Sequence, residues 1–141
     1  MSELRIEMDS SSVDWNDVRK LFLSVGWQDR PPEDIRAAFG RSTHQLFIFD
    51  DRQLVACGRT VDDGRYYALI CDLVVAPRYQ GQGIGSRILS ELLARCSGFE
   101  FVTLTAAEGK DGFYLNQGWR RQTSSFIWPR DEQQARIHAE E

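Results

Sequence analysis

The spacing of apolar and polar positions changes character twice along this chain. From Asp14, the apolar residues Trp15, Val18, Leu21, Phe22 and Val25 recur every three or four positions, the signature of one helical face. Asp14 is suited to cap the start of that helix and Gly26 to stop it. PPEDIRAAFG (31–40) predicts a second, shorter helix with proline in its first turn.

The pattern then shifts to strands. QLFIF (45–49), a turn at Asp50-Asp51, and QLVACGRTV (53–61) predict a β-hairpin. Asp62-Asp63-Gly64 is a second turn, and YYALICDLVV (66–75) is a long, almost wholly apolar strand that Pro77 ends. Helical spacing returns with Ile84, Ile88, Leu89, Leu92 and Leu93, with Arg87, Glu91 and Arg95 on the other side. FEFVTLTA (99–106) predicts a strand, DGFYLNQ (111–117) a short helix and WRRQTSSFIW (119–128) a last strand. RDEQQARIHAEE is a polar tail, either a frayed helix or disordered. The order is ααβββαβαβ. Joining 66–75 to 99–106 through a helix requires a parallel pair beside an antiparallel hairpin. The expected fold class is α+β (a mixed α/β sandwich), as one domain over 1–130 with a polar tail over 131–141.

Composition narrows the functions. With 141 residues and 42% hydrophobic content, the chain can bury one core. The three cysteines (Cys57, Cys71, Cys96) lie singly among apolar residues, which predicts reduced core thiols and a cytoplasmic protein. No apolar run reaches the roughly 20 residues of a membrane span, and MSELRIEMDSSS has no secretory pattern. Net charge is −4 and the arginines are scattered, so a nucleic-acid surface is not expected. His44 and His138 stand alone in a turn and in the tail, so no metal site is expected either.

Candidate chemistry concentrates in RYQGQGIGSRILSELL (78–93), where three glycines occupy five positions at a helix entrance. A phosphate-binding P-loop needs GxxxxGK[ST], and no lysine follows these glycines. A dinucleotide fingerprint needs GxGxxG, and here the third glycine comes one residue early. The opening amides of a helix have no intrahelical partner and lie at its positive end, so a glycine-lined turn there suits a pyrophosphate. A plain strand–helix turn would need only one or two of the glycines.

Gln80-Gly81-Gln82-Gly83-Ile84-Gly85 fits a Q/R-x-x-G-x-G/A pattern, and Phe113-Tyr114-x-x-x-Gly118-Trp119 follows it. Together they resemble the acyl-CoA-binding motif and the FYxxxGF segment of the GCN5-related N-acetyltransferases (GNAT), with Trp in place of the last Phe. The resemblance covers nearly the whole chain and is strongest over 66–119. It implies the GNAT fold, a mixed central sheet flanked by helices, and an N-acetyltransferase using acetyl-CoA. By the same resemblance, Leu73, Val74 and Val75 offer backbone to the pantetheine arm. Gln80, Gly81, Gln82, Gly83, Ile84, Gly85 and Ser86 would cradle the pyrophosphate. Arg78 and Lys110 are candidates for the 3′-phosphate, although ordinary surface placement suits each as well. Relatives often carry Asn in the loop before the FY segment. Here that loop reads Ala107-Glu108-Gly109-Lys110-Asp111, and Asn116 is the nearest substitute.

For the transfer itself, the resemblance makes Tyr114 the general acid. A phenol at pKa ~10 protonating a thiolate whose acid lies at ~8.5 works against ~1.5 units, or about 2 kcal/mol. Asp72, a carboxylate inside an apolar strand, is the candidate base, Glu108 the runner-up, and a water chain the alternative to both. For the acceptor, a small-molecule or peptide amine, SVGWQDRPPED (24–34) supplies Trp27 and Asp29, with Glu33 and Asp34 as further acids. Tyr66, Tyr67, Trp119, Phe126 and Trp128 add aromatic walls; Tyr67 is the candidate among them. A homodimer is compatible with the resemblance, and no segment marks an interface. The competing reading is a noncatalytic acyl-CoA-binding regulator on the same fold.

Overall fold

Four consecutive buried residues, Leu46, Phe47, Ile48 and Phe49, mark a strand covered on both faces, since successive side chains point to opposite sides. They belong to β2 (Gln45–Asp50) in a computed structural model that describes residues 3–140. β2 pairs antiparallel with β1 (Leu4–Glu7) and with β3 (Gln53–Asp62); β3 pairs antiparallel with β4 (Tyr67–Val75). β5 (Phe101–Leu104) adds a parallel edge, giving the sheet order β1-β2-β3-β4-β5. The parallel pair beside an antiparallel hairpin is the arrangement the sequence requires. β1 was not foreseen.

Two helices cover one face. α1 (Trp15–Ser24) starts at Asp14, whose carboxylate accepts from the Asn16 amide at 2.9 Å. It ends where Gly26 turns left-handed (φ 83°) and the Trp27 amide reaches back to the Phe22 carbonyl. α2 (Pro32–Gly40) begins with proline in its first turn. Val18, Leu21 and Phe22 of α1, with Ile35 and Phe39 of α2, pack on Phe47, Phe49, Leu54, Cys57 and Val74.

The opposite face carries α3 (Ile84–Arg95), which buries Ile84, Ile88, Leu89 and Leu92. Gly58 is the reason α3 lies close. A Cβ there would stand 2.9 Å from Ile88 Cγ2 and 3.0 Å from Leu92 Cδ1. Cys57 and Gly58, adjacent in β3, thus serve the two faces of the sheet.

The chain forms two compact units, one ending at Leu104 and the other beginning at Thr105. The second holds α4 (Asp111–Asn116) and α5 (Glu132–His138). One expectation is corrected here and one alternative is decided. Residues 119–128 form no strand; this stretch is turn and irregular chain, with Phe126 and Trp128 almost fully exposed. The tail, in turn, contains an ordered helix. The Asp131 carboxylate caps α5 by accepting from the Gln134 amide at 2.8 Å, while Gln134 Oε1 accepts from the Arg130 amide at 2.7 Å.

Candidate active site

The glycine turn is a hook between β4 and α3. Pro77–Tyr79 form one 3₁₀ turn, after which Gly81 (φ 79°) and Gly83 (φ 83°) both enter the left-handed region. Side chains other than glycine pay a steric penalty there. Gly83 caps α3 without any side-chain bond, and the first ladder bond runs from the Arg87 amide to the Gly83 carbonyl at 3.1 Å. The amides of Ile84, Gly85 and Ser86 therefore open the helix with no intrahelical acceptor. A Cβ built at Gly81 or Gly83 meets no atom within 4 Å, so the hook faces open space. Gly85 needs no left-handed backbone.

Two glutamines brace the hook from behind. Gln80 Nε2 donates to the Val75 carbonyl at 2.9 Å, and Gln82 Nε2 to the Arg78 carbonyl at 3.3 Å. The Tyr79 hydroxyl donates to Asp50 Oδ2, tying the turn to β2. Gln80 is thus a strut holding the turn onto the end of β4.

β4 supplies the second feature. Its pairing with β5 runs from Tyr67↔Phe101 to Ile70↔Leu104 and stops, while the strand continues to Val75. Leu73, Val74 and Val75 lie in that continuation, and a strand edge of this kind can take an extended ligand by backbone hydrogen bonds. On its other side, the register with β3 slips: Cys57 faces Val74 but Arg59 faces Cys71. The extra residue is accommodated at Asp72, which has φ 54°.

Asp72 is held at this bulge by two guanidinium groups. Arg59 Nε donates to Oδ2 at 2.7 Å and Arg30 Nη1 to Oδ1 at 3.1 Å. The carboxylate is only 8% exposed and Arg59 13%, whereas Arg30 is 46% exposed. Arg59 is further tied by Nη1 to Ser42 Oγ at 3.1 Å and lies over the Phe39 ring. Both Asp72 oxygens are thus committed to cations, an arrangement that suits an anchor better than a free proton acceptor.

Trp27 stacks against Phe22 with ring centroids 5.1 Å apart and packs on the core. Asp29 is bound bidentately by Arg19, with both contacts at 2.7 Å. That bond holds the Asp29 carboxyl below its ordinary acidity range and leaves it little capacity to attract an amine. Tyr67 is exposed beside Phe101, five residues from Asp72 along β4 and so roughly 16 Å away along the strand. The structure therefore brings Trp27 and Asp72 together through Arg30, and leaves Tyr67 at the far end of the strand.

In the second unit, Tyr114 lies on α4, its ring 5.0 Å from that of Phe113 and its carbonyl accepting from the Trp119 amide. Partial burial pushes its phenol above the ordinary value, so it is protonated at neutral pH. Asn116 is exposed at the end of the same helix, and Glu108 is exposed in the preceding turn. Burial raises all three thiols, Cys71 to about 11. Among the described residues, no group of three His, Cys, Asp or Glu could hold a metal, and no helix is long and apolar enough to cross a membrane.

Sequence reasoning missed Arg59, Arg30, Tyr79 and Gly58. Arg59 carried a usable signal: it is a lone cation in one apolar strand, and Asp72 is a lone acid in the next.

Residues 42–121 match the family model described as an acetyltransferase (GNAT) domain. An uncharacterized N-acetyltransferase ycf52-like protein of Prochlorococcus marinus is 31% identical over 114 residues, 77% of this chain and 63% of its own length. Serotonin N-acetyltransferase 2, chloroplastic, of Oryza sativa subsp. japonica is 29% identical over 122 residues, 81% of this chain and 60% of its own length. The chain thus spans less than two thirds of the length of these curated relatives. Among solved structures, the GNAT family protein SP0256 of Streptococcus pneumoniae is 29% identical with TM-score 0.77, covering 92% of this chain and 100% of its own. Protein SA2161 of meticillin-resistant Staphylococcus aureus shares the fold at TM-score 0.81 and 21% identity, with the same coverage.

Proposed function

The chain belongs to the GNAT family of acetyltransferases, and from that premise we propose that it moves an acetyl group from acetyl-CoA to a primary amine of a small molecule or peptide. The observation that carries the donor half is the hook at 80–86: two left-handed glycines, a helix opening with free amides, and open space in front of them. Neutral backbone donors and the helix dipole can hold a pyrophosphate in a chain of net charge −4. The β4 edge at Leu73, Val74 and Val75 is suited to the extended pantetheine arm.

Acetyl-CoA supplies an activated acyl group, and the chain supplies placement and protons. Tyr114, placed in the family's FYxxxGF segment, is our candidate for the acid that protonates the departing sulfur; its phenol, pushed upward by burial, carries its proton at working pH. Asp72 is assigned to holding the β4 bulge in shape. The amine then delivers its proton to water, the route that needs no free carboxylate.

The test is to incubate the protein with acetyl-CoA and a panel of amines and peptides while following release of CoA thiol. Release that depends on an amine supports the proposal. Tight acetyl-CoA binding without release across the panel would replace it with a noncatalytic acyl-CoA-binding module.

A further inference from the structure

The cations around Asp72 outnumber the acids they serve. Arg59 is spent: it lies nearly buried, bonded to Asp72 and Ser42 and seated on Phe39. Arg30 shares the same carboxylate, through one nitrogen only. Its neighbour Asp29 offers no compensation, because Arg19 takes both of its oxygens. Two guanidinium groups on one carboxylate leave one positive charge in excess, and that excess is on the exposed partner.

Arg30 is also held in place. Its guanidinium carbon lies 5.2 Å from the Phe22 ring centroid and 5.6 Å from that of Trp27. A planar group braced by two rings and by one carboxylate has lost much of the side-chain freedom that an anion would otherwise have to freeze out. Its half-exposed side chain is anchored at Asp72, in the β4 bulge next to the edge assigned to the donor.

We infer that Arg30 is the acceptor-recognition cation of this enzyme, and that the preferred amine carries a carboxylate or phosphate bound by its outward face. This rests on the reading of the chain as an acetyl-CoA-dependent acetyltransferase and narrows its acceptor class. It departs from a reading in which the acids of 24–34 face the acceptor: Asp29, the neighbour of Arg30 in sequence, has both oxygens taken by Arg19. Asp72 becomes a positioning residue: it aims Arg30 and does not itself touch the acceptor.

The experiment is a set of calorimetric titrations of matched ligand pairs, in the free protein and in protein saturated with CoA, which needs no turnover. The pairs are α-amino acids against their carboxamides, and phosphoethanolamine against ethanolamine. The proposal expects at least one anionic member to bind about tenfold or more tightly than its neutral partner. In Arg30→Gln that ratio should fall to about one, and in Arg30→Lys most of it should survive. The two pairs distinguish a carboxylate from a phosphate. Equal binding within every pair by the unaltered protein overturns the inference, as does a preference that survives Arg30→Gln. A separate titration with acetyl-CoA tests the donor reading, so failure of one does not imply failure of the other.

Discussion

Arg59 and Asp72 meet at 2.7 Å across the one place where β3 and β4 fall out of register. The pair joins a nearly buried cation to a nearly buried acid on adjacent strands, and the acid has the left-handed backbone (φ 54°) that lets β4 bulge. Breaking a buried pair from one side leaves the other charge uncompensated, which is costlier than removing both. We therefore expect Asp72→Asn to lower stability by about 3 kcal/mol in urea unfolding. If Asp72 were instead the proton acceptor, the alanine or asparagine variant would lose the acidic limb of its pH–rate profile; we expect that limb to remain.

Gly83 must stay left-handed for α3 to start where it does. Placing a side chain at φ 83° costs about 1–2 kcal/mol. Gly83→Ala should thus destabilise the chain by that amount and weaken acetyl-CoA binding in calorimetry, whereas Gly85→Ala should be milder on stability. Equal losses at both positions would contradict the division of labour described for the turn.

Replacing Tyr114 with Phe should reduce kcat by about a hundredfold or more while leaving acetyl-CoA affinity nearly constant. The pH dependence has a definite sign. Burial raises the Tyr114 phenol above 10.0, so the donating form persists beyond the ordinary tyrosine range. The alkaline fall in kcat of the unaltered enzyme should lie above pH 10, and steady-state rates from pH 8 upward would show it.

Alkali should also weaken the fold. Burial, partly opposed by the Arg59 guanidinium, pushes Cys71 from 9.0 up to about 11, and Cys57 rises further for the same first reason. An unfolded chain loses these protons before the folded one, so stability is intact below pH 9 and declines as pH climbs toward 11. Thermal melts across that window should show the drop, and Cys71→Ala should make it shallower.

Most elements of the first unit were legible because each has one strong local cause. Asp14 and Gly26 bracket α1, proline opens α2, and the apolar runs at 45–49, 53–61 and 66–75 leave no alternative to strands. Strand β1 was hidden because LRIE is short and draws its identity from the Leu4↔Asp50 to Glu7↔Phe47 pairing, a contact far away in sequence. The stretch 119–128 misled for the converse reason: its aromatic and apolar ends (Trp119, and Phe126 to Trp128) suit a strand, but a strand exists only where a ladder partner accepts it. For the tail, where a helix was one of two alternatives, Asp131-x-x-Gln134 is the signal that favours the helix. At the turn, the left-handed backbone of Gly81 and Gly83 falls within the glycine cluster that the sequence displays. The Arg30–Asp72–Arg59 cluster was not legible, because only the fold brings a loop at 30 to strands at 59 and 72.

Gly58 has a role beyond allowing a helix to lie flat. The helix it admits carries the hook at one end, and the strand beside it carries the bulge. On the proposed donor reading, the spacing of hook and strand edge is set by a single contact, between the bare backbone at position 58 and the side chains of Ile88 and Leu92. A methyl group there would act as a shim between sheet and helix, moving the hook relative to the strand without altering any residue of either.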